Sequence, residues 1–179
     1  MTDKQQRILD VALELFAHQG YAATATSKIA QQAGVSEGLI FRHFTNKEGL
    51  LDAIVRMGLD KMQEIAPQVS DEQEPKKVLD QAIQVPLYFV RSQPVFWKLL
   101  LSLKHQQPEI AQKYHDSGVF VQLRDSIEQA FRQLNYASPK AETKLLLVIL
   151  GGLFSELSGK DQIDQDAFIN FVKQKYQIE

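Results

Sequence analysis

Hydrophobic residues recur with the period of an α-helix along most of the chain, beginning close to its first residue. The first apolar stripe, at spacing i, i+3, i+4, i+7 and i+8, consists of Ile8, Val11, Ala12, Leu15 and Phe16. Gly20 follows the last of these positions, and glycine is typical of the point where a helix ends. The pattern therefore predicts a long amphipathic helix, followed by a short connection over residues 22–25.

Two brief helices around a glycine are predicted next. The first runs from about residue 27 to Ala33, with Thr26 as its N-cap. Gly34 can adopt the positive φ of a tight turn, and Ser36 is placed to cap a second helix that ends near Phe44. Two short helices packed on the longer first one form a three-helix bundle that contains a helix-turn-helix.

The remaining chain also favours helix. Residues 45–48 read Thr-Asn-Lys-Glu, which fits a capping box and opens a fourth helix ending at about Ile65. Further helices are predicted at roughly 75–92, 94–105, 108–135, 139–158 and 164–177. Ser138-Pro139 is a strong start signal, and the acidic cluster Asp161, Asp164 and Asp166 is predicted to cap the last helix. The expected fold class is all-α, with about nine helices.

Composition and charge exclude several classes of protein. The 179 residues include no cysteine, so disulfides and zinc–thiolate sites are ruled out. The longest apolar run, 145–154, is about half the length of a spanning helix, so no membrane association is expected. Because the first residues carry no signal-peptide pattern, we expect a cytoplasmic protein. The net charge is −2 overall but +1 through Lys47, a small asymmetry in the direction expected of a DNA-binding N-terminus.

The second helix of the helix-turn-helix has one apolar and one polar side. Ile40 and Phe44 lie one turn apart and face the core. The opposite side carries Gly38, Leu39, Arg42 and His43. Its flanks carry Glu37 and Phe41. An exposed arginine and histidine beside a glycine suit insertion into the major groove of DNA. The alternative is an ordinary corner between two helices of an unrelated helical protein.

From Gly20 to Leu50 the residues follow the pattern G-Y-x-x-T-x-T-x-x-I-A-x-x-A-G-V-S-x-G-x-I-F-x-H-F-x-N-K-E-x-L. In this pattern the chain resembles the TetR family of bacterial transcriptional repressors. The resemblance implies a helix-turn-helix DNA-binding domain over residues 1–47. It also implies a larger helical domain for ligand sensing and dimerisation over residues 48–179.

The resemblance assigns expected roles to individual residues on DNA. The expected contact residues are Thr26, Ser27, Glu37, Gly38, Leu39, Phe41, Arg42, His43 and Lys47. Thr26 and Lys47 match phosphate-contacting positions, and Ser27 matches a position that often reads a base. Arg42 is the first choice for base readout because arginine to guanine is the commonest specific pairing. Glu37 can accept from a cytosine amine or complement the helix dipole.

Phe41 departs from the family pattern, in which a tyrosine hydroxyl contacts phosphate at this position. Phenylalanine retains the ring and loses that hydrogen bond, which is worth on the order of 1 kcal/mol.

The resemblance also implies a dimer interface and a ligand pocket in the larger domain. The stretch 145–150 is apolar nearly all round, and the pair Gly151-Gly152 indicates close approach of another backbone. The predicted dimer interface is Leu146, Ile149, Gly152, Leu153, Phe168 and Val172. The predicted pocket residues are Met62, Phe89, Phe96, Trp97, His105, Tyr114 and Phe120. The same residue types also suit a solid core.

The resemblance therefore implies a homodimeric repressor that binds a palindromic DNA operator and is released by a small hydrophobic inducer. We expect neither a cofactor nor a metal. Catalysis is not expected either, because no motif supplies metal-ligand spacing, a nucleophile elbow or a phosphate loop. One alternative is a helical carrier of hydrophobic ligands that binds no DNA. Another is a family member that activates transcription or responds to a protein partner.

Overall fold

The computed structural model describes residues 2–63, 72–109, 112, 118–157 and 164–178, with the backbone alone at 62, 63, 119, 154, 155, 157 and 165. Within this part of the chain there are nine helices of eight or more residues and no strand, which confirms the predicted all-α class. The helices are α1 (Asp3–Gln19), α2 (Thr26–Ala33), α3 (Glu37–Phe44), α4 (Lys47–Gln63), α5 (Pro75–Ser92), α6 (Pro94–Gln106), α7 (Gly118–Gln133), α8 (Pro139–Leu157) and α9 (Gln165–Lys175).

The chain forms two compact units. The first comprises Met1–Lys61 and Lys98–Tyr114, and the second comprises Met62–Trp97 and His115–Glu179. The division after residue 47, expected from the family resemblance, stays a prediction, and the first unit retains α4 as far as Lys61. None of the helices in the described residues has both the length and the apolar character needed to cross a bilayer.

In the first unit, the predicted apolar stripe of α1 forms the centre of the core. Ile8, Ala12 and Phe16 are completely buried, and α3 contributes Ile40, also at 0% exposure. Complete burial of each large aliphatic or aromatic side chain contributes about 1.5–3 kcal/mol to stability. The orientation of α3 is therefore set by one deeply buried anchor, which turns the opposite side of this short helix outward.

The turn between α2 and α3 has the predicted glycine geometry. Gly34 adopts φ 64° and ψ 40°, in the left-handed region where a side chain is disfavoured. The amide of Val35 donates to the carbonyl of Ala30 at 3.0 Å, and the Gly34 amide donates to Gln31 at 3.2 Å. These two bonds close a Schellman motif, so the turn satisfies the last carbonyls of α2 and directs the chain into α3.

Three predicted N-caps differ in the structure. Ala25 holds the N-cap position of α2, and Thr26 is the first residue of that helix. Ser36 precedes α3 as predicted, but its side chain makes no capping hydrogen bond. The predicted capping box is wrong: Thr45 ends α3 at φ 68°, and Asn46 Oδ1 accepts from the Gly49 amide at 2.7 Å. Because Thr45 takes the turn conformation, the cap of α4 falls one residue later.

The second unit is built around one hydrophobic core from α5, α7, α8 and α9. Its fully buried side chains include Leu79 and Ile83 of α5, Phe131 of α7 and Leu146 of α8. The start of α8 at Pro139 is as predicted, and Asp164 caps α9 by accepting from the Ala167 amide at 3.0 Å. Asp161, the predicted end of α4 at Ile65, and part of the predicted helix 108–135 lie outside the described residues.

Candidate nucleic-acid interface

The outward side of α3 carries the residues that sequence analysis placed there. Gly38 and Arg42 are exposed, and Phe41 exposes 44% of its surface. Leu39 and His43 are half-buried at the edges of this surface. Since Ile40 is fully buried, the opposite face of the same helix is free of the chain's own core. An arginine and a histidine in the same turn of such a face can reach the edges of base pairs in a major groove.

Thr26 and Glu37 connect the two helices of the helix-turn-helix. The Thr26 hydroxyl donates to Glu37 Oε1 at 2.6 Å, and both side chains are half-buried. Ser27 is exposed on the first turn of α2 beside this pair. Glu37 also lies in the first turn of α3, where its charge complements the helix dipole. The pairing with Thr26 is a further role, one that the sequence did not reveal.

Lys47 lies at the start of α4 and contacts the connection between α1 and α2. Its ammonium donates to the carbonyl of Ala22 at 3.1 Å and lies 4.6 Å from the centre of the Tyr21 ring. Partial burial lowers the pKa of Lys47. One of the three ammonium hydrogens thus stabilises the first unit, and the predicted phosphate contact of Lys47 stays a prediction.

Gln5 is a site residue that sequence analysis missed. Its side-chain Nε2 lies 3.1 Å from His43 Nδ1, across 38 positions of sequence. Gln5 also closes a capping box with Thr2 at the start of α1. The sequence signal was present as Thr-x-x-Gln at residues 2–5, a capping pattern, but it points only to the helix end and not to His43.

Comparison with known proteins identifies this arrangement. Residues 8–54, which run from the α1 stripe into α4, match the family described as "Bacterial regulatory proteins, tetR family". Over these residues the chain is similar to the DNA-binding part of the TetR family. The uncharacterized helix-turn-helix transcriptional regulator YerO of Bacillus subtilis (strain 168) is 34% identical over 106 residues, 57% of this chain and 36% of the relative. The chain spans about a third of the length of the curated relatives it matches.

Two solved structures have a similar fold over nearly the whole chain. AibR in complex with isovaleryl coenzyme A and operator DNA is 19% identical, with a TM-score of 0.76 over 95% of this chain and 96% of that chain. A transcriptional regulator from Saccharomonospora viridis in complex with choline is also 19% identical, with a TM-score of 0.77 over 99% and 97%. At this level of identity the likeness concerns the fold alone.

Three of the predicted pocket residues form an aromatic cluster. The ring centres of Phe89 and Phe96 lie 5.4 and 5.6 Å from that of Trp97, and all three side chains are buried. His105 is exposed and Phe120 is half-buried. The side chain of Met62 and the whole of Tyr114 lie outside the described residues, so the predicted pocket as a set stays a prediction.

The predicted dimer residues have several environments in the second unit. Leu146, Leu153 and Val172 are at most 2% exposed and belong to the core of the second unit, and Ile149 and Phe168 pack against it. Gly152 is exposed, with no atom within 4 Å of the position a Cβ would take. Among the side chains that the structure describes, the large apolar ones that α8 and α9 expose are Leu145 at 43%, Val148 at 63% and Phe171 at 64%.

Proposed function

We propose that this chain is a TetR-type transcriptional repressor that binds a palindromic operator as a homodimer and is released by a small hydrophobic ligand. The observation that carries the proposal is the outward side of α3. There, exposed Arg42 and Gly38 stand opposite the fully buried anchor Ile40. A short helix held by one side and polar on the other is the geometry that reads a major groove.

Within this proposal each exposed group has a defined partner on DNA. Arg42 reads a guanine through its two parallel N–H donors, and Leu39 contacts a thymine methyl. Thr26, Ser27 and the amides of the first turn of α2 bind a backbone phosphate, because a helix N-terminus attracts anions. Lys47 neutralises a neighbouring phosphate with the hydrogens that Ala22 does not occupy.

The test of this function is selection of bound duplexes from random DNA, followed by affinity measurements with variants. We expect a palindrome with half-sites about one helical turn apart, roughly 34 Å or a multiple of it. Arg42→Ala should weaken binding about 5- to 100-fold and relax the preference at one position of each half-site. Arg124→Ala, an exposed arginine on α7, is the matched control. Equal binding by the two variants, or no selected sequence at all, would refute the proposed function.

Homodimerisation is assigned to an exposed apolar strip on α8, together with Phe171 of α9. Leu145 and Val148 are three positions apart and therefore lie on one side of α8, one turn before the exposed Gly152. Phe171 of α9 is the most exposed large apolar side chain in the described residues. A second copy that covers these groups removes them from water, and the absence of a side chain at Gly152 permits close approach.

The strip is tested by the oligomeric state. Val148→Asp should convert the dimer to a monomer in analytical ultracentrifugation, because each chain would then bury an unpaired charge in the interface. Gln129→Asp, which places the same charge at an exposed position of α7, should leave the dimer intact. A dimeric Val148→Asp protein would refute the assignment of the interface to this strip.

The ligand is assigned to the second unit, where Phe89, Phe96 and Trp97 form a buried aromatic cluster. The structural relatives that hold isovaleryl coenzyme A and choline supply two concrete probes. We expect isovaleryl coenzyme A, the probe with an apolar acyl group, to raise the unfolding temperature and to release the selected duplex. A compound that stabilises the protein and leaves DNA binding unchanged would contradict the inducer role.

A further inference from the structure

The hydrogen bond between Gln5 and His43 determines which ring nitrogen of His43 carries the hydrogen. The Thr2 backbone N–H and the Thr2 hydroxyl both donate to Gln5 Oε1, at 2.9 and 3.2 Å. A backbone N–H has no acceptor capacity, so the atom that it meets is the oxygen of the Gln5 amide. The remaining Gln5 atom, Nε2, is therefore a pure donor directed at His43 Nδ1, 3.1 Å away.

The consequence for His43 follows from the chemistry of imidazole. A neutral ring has one donor nitrogen and one acceptor nitrogen. Because Nδ1 accepts from Gln5, the hydrogen resides on Nε2, and protonating both nitrogens would set two donors against each other. The capping box holds the Gln5 amide in this orientation, since rotating it by 180° would set Nε2, a donor, against the donating backbone N–H of Thr2.

We propose that Gln5 is a positioning residue that locks His43 as a hydrogen-bond donor through Nε2 on the DNA-facing side of α3. The proposal deepens, and rests on, the DNA-binding function proposed above. As a fixed donor, Nε2 can bond to a phosphate oxygen, guanine O6 or N7, adenine N7 or thymine O4. It cannot bond to the amines of cytosine and adenine, because these groups are donors themselves. An unrestrained imidazole would pair with either class, so Gln5 restricts the half-sites that His43 tolerates.

His18 supplies an internal contrast in the same protein. Its Nδ1 lies 2.9 Å from the backbone carbonyl oxygen of Glu14, which can only accept. The hydrogen of a neutral His18 is therefore on Nδ1, the opposite assignment to His43. One spectrum of the protein must show the two tautomers side by side.

The experiment records two-bond nitrogen–proton correlations of the histidine rings in the full-length, nitrogen-15-labelled protein at about pH 9, with His43→Asn used to assign the signals. In the wild type we expect a single Nε2–H form at His43 and the Nδ1–H form at His18. Gln5→Glu preserves the capping box, because glutamate serves as well as glutamine at this position. Its carboxylate accepts from His43, so the hydrogen should move to Nδ1.

Two further variants separate the proposed role from a structural one. Gln5→Met removes the donor and should return His43 to a mixture of both tautomers. Gln6→Glu adds the same charge one residue along, where the wild-type side chain bonds to Asp10 and Met57, and should leave His43 in the Nε2–H form. A His43 spectrum that is the same in wild type, Gln5→Glu and Gln5→Met would overturn the proposal.

The DNA arm uses the duplex that the wild type selects from random sequence. At the pH where the spectra show a neutral ring, Gln5→Glu should bind this duplex at least about fivefold more weakly than Gln6→Glu, because Nε2 then offers a lone pair to an acceptor. Equal affinities together with a shifted tautomer would overturn the DNA-reading role of the lock. If the wild type selects no duplex, the proposed function fails, and the tautomer measurement still decides the geometry.

Discussion

Glu37→Gln is predicted to strengthen DNA binding at every sequence. The Thr26 hydroxyl, which is expected to meet a backbone phosphate, donates to Glu37 Oε1 at 2.6 Å in the free protein. A hydroxyl has one hydrogen, so phosphate and carboxylate compete for it. Whichever group receives the hydrogen, the negative Glu37 carboxylate is held beside a negative phosphate. Glu37→Gln removes the charge of the carboxylate and retains an acceptor for the Thr26 hydroxyl.

The size of the effect follows from the reach of the hydroxyl. Two hydrogen bonds of about 2.7 Å that meet at one oxygen place the carboxylate and phosphate oxygens roughly 4.5 Å apart. With an effective dielectric constant between about 40 and 80, the repulsion at this distance is on the order of 1–2 kcal/mol. The expected gain in affinity is therefore roughly 5- to 30-fold at low salt, decreasing as the ionic strength rises.

The assay is fluorescence anisotropy with the selected duplex and with an unrelated duplex of equal length. Glu14→Gln, which removes one exposed carboxylate of α1, is the matched control for net charge. We expect Glu37→Gln to bind both duplexes more tightly than the control does. A loss of affinity confined to duplexes with cytosine at one position would refute the argument, because Glu37 would then read that base.

Three further predictions rest on single side chains. Gly38→Ala should raise the free energy of unfolding by about 0.5–1 kcal/mol, since alanine favours helix and no atom lies within 4 Å of the new Cβ. The same variant should weaken DNA binding. Unchanged affinity would show that the duplex does not approach this position. Lys47→Met should lower the free energy of unfolding by about 1–2 kcal/mol in a urea titration, because the hydrogen bond to Ala22 and the contact over the Tyr21 ring are lost; wild-type stability would contradict this role. Tyr176→Phe should stabilise the protein at pH 7 by about 1 kcal/mol, because the Tyr176 hydroxyl is buried without a hydrogen-bond partner among the described residues. Burial, with a smaller effect from neighbouring acidic groups, raises the pKa of Tyr176 to about 12. Between about pH 10 and 12 the unfolded chain loses this proton and the native state keeps it. The wild type should therefore lose about 2–3 kcal/mol of stability that the variant does not lose. If the urea midpoints of wild type and variant differ by the same amount at pH 9 and at pH 11, the assignment is refuted.

Features that depend on neighbours in sequence could be predicted from the chain alone. The spacing of Ile8, Ala12 and Phe16 predicted α1 and its buried face, because the helical period places these positions on one side. Gly34 predicted the turn, since its left-handed backbone conformation is a property of the residue itself. The same local logic placed Ile40 inside and Arg42 outside on α3.

Pairings between helices could not be predicted in this way. Thr26 meets Glu37, Lys47 meets Ala22 and Gln5 meets His43 across 11, 25 and 38 positions of sequence. Each pairing depends on how separate segments of the chain pack against each other, and no residue reports that packing by itself. The capping pattern at residues 2–5 was visible, but its second partner was supplied by a helix that begins 32 positions later.

The apolar stretch of α8 illustrates the same division. Its sequence determined that more than one face of this helix is hydrophobic, so the pattern predicted burial for Leu145, Leu146 and Val148 alike. Only the tertiary structure decided that Leu146 packs in the chain's own core and that Leu145 and Val148 face outward. A helix that is apolar all round carries no periodic signal for its rotation about its own axis, so that rotation is set by the helices packed against it.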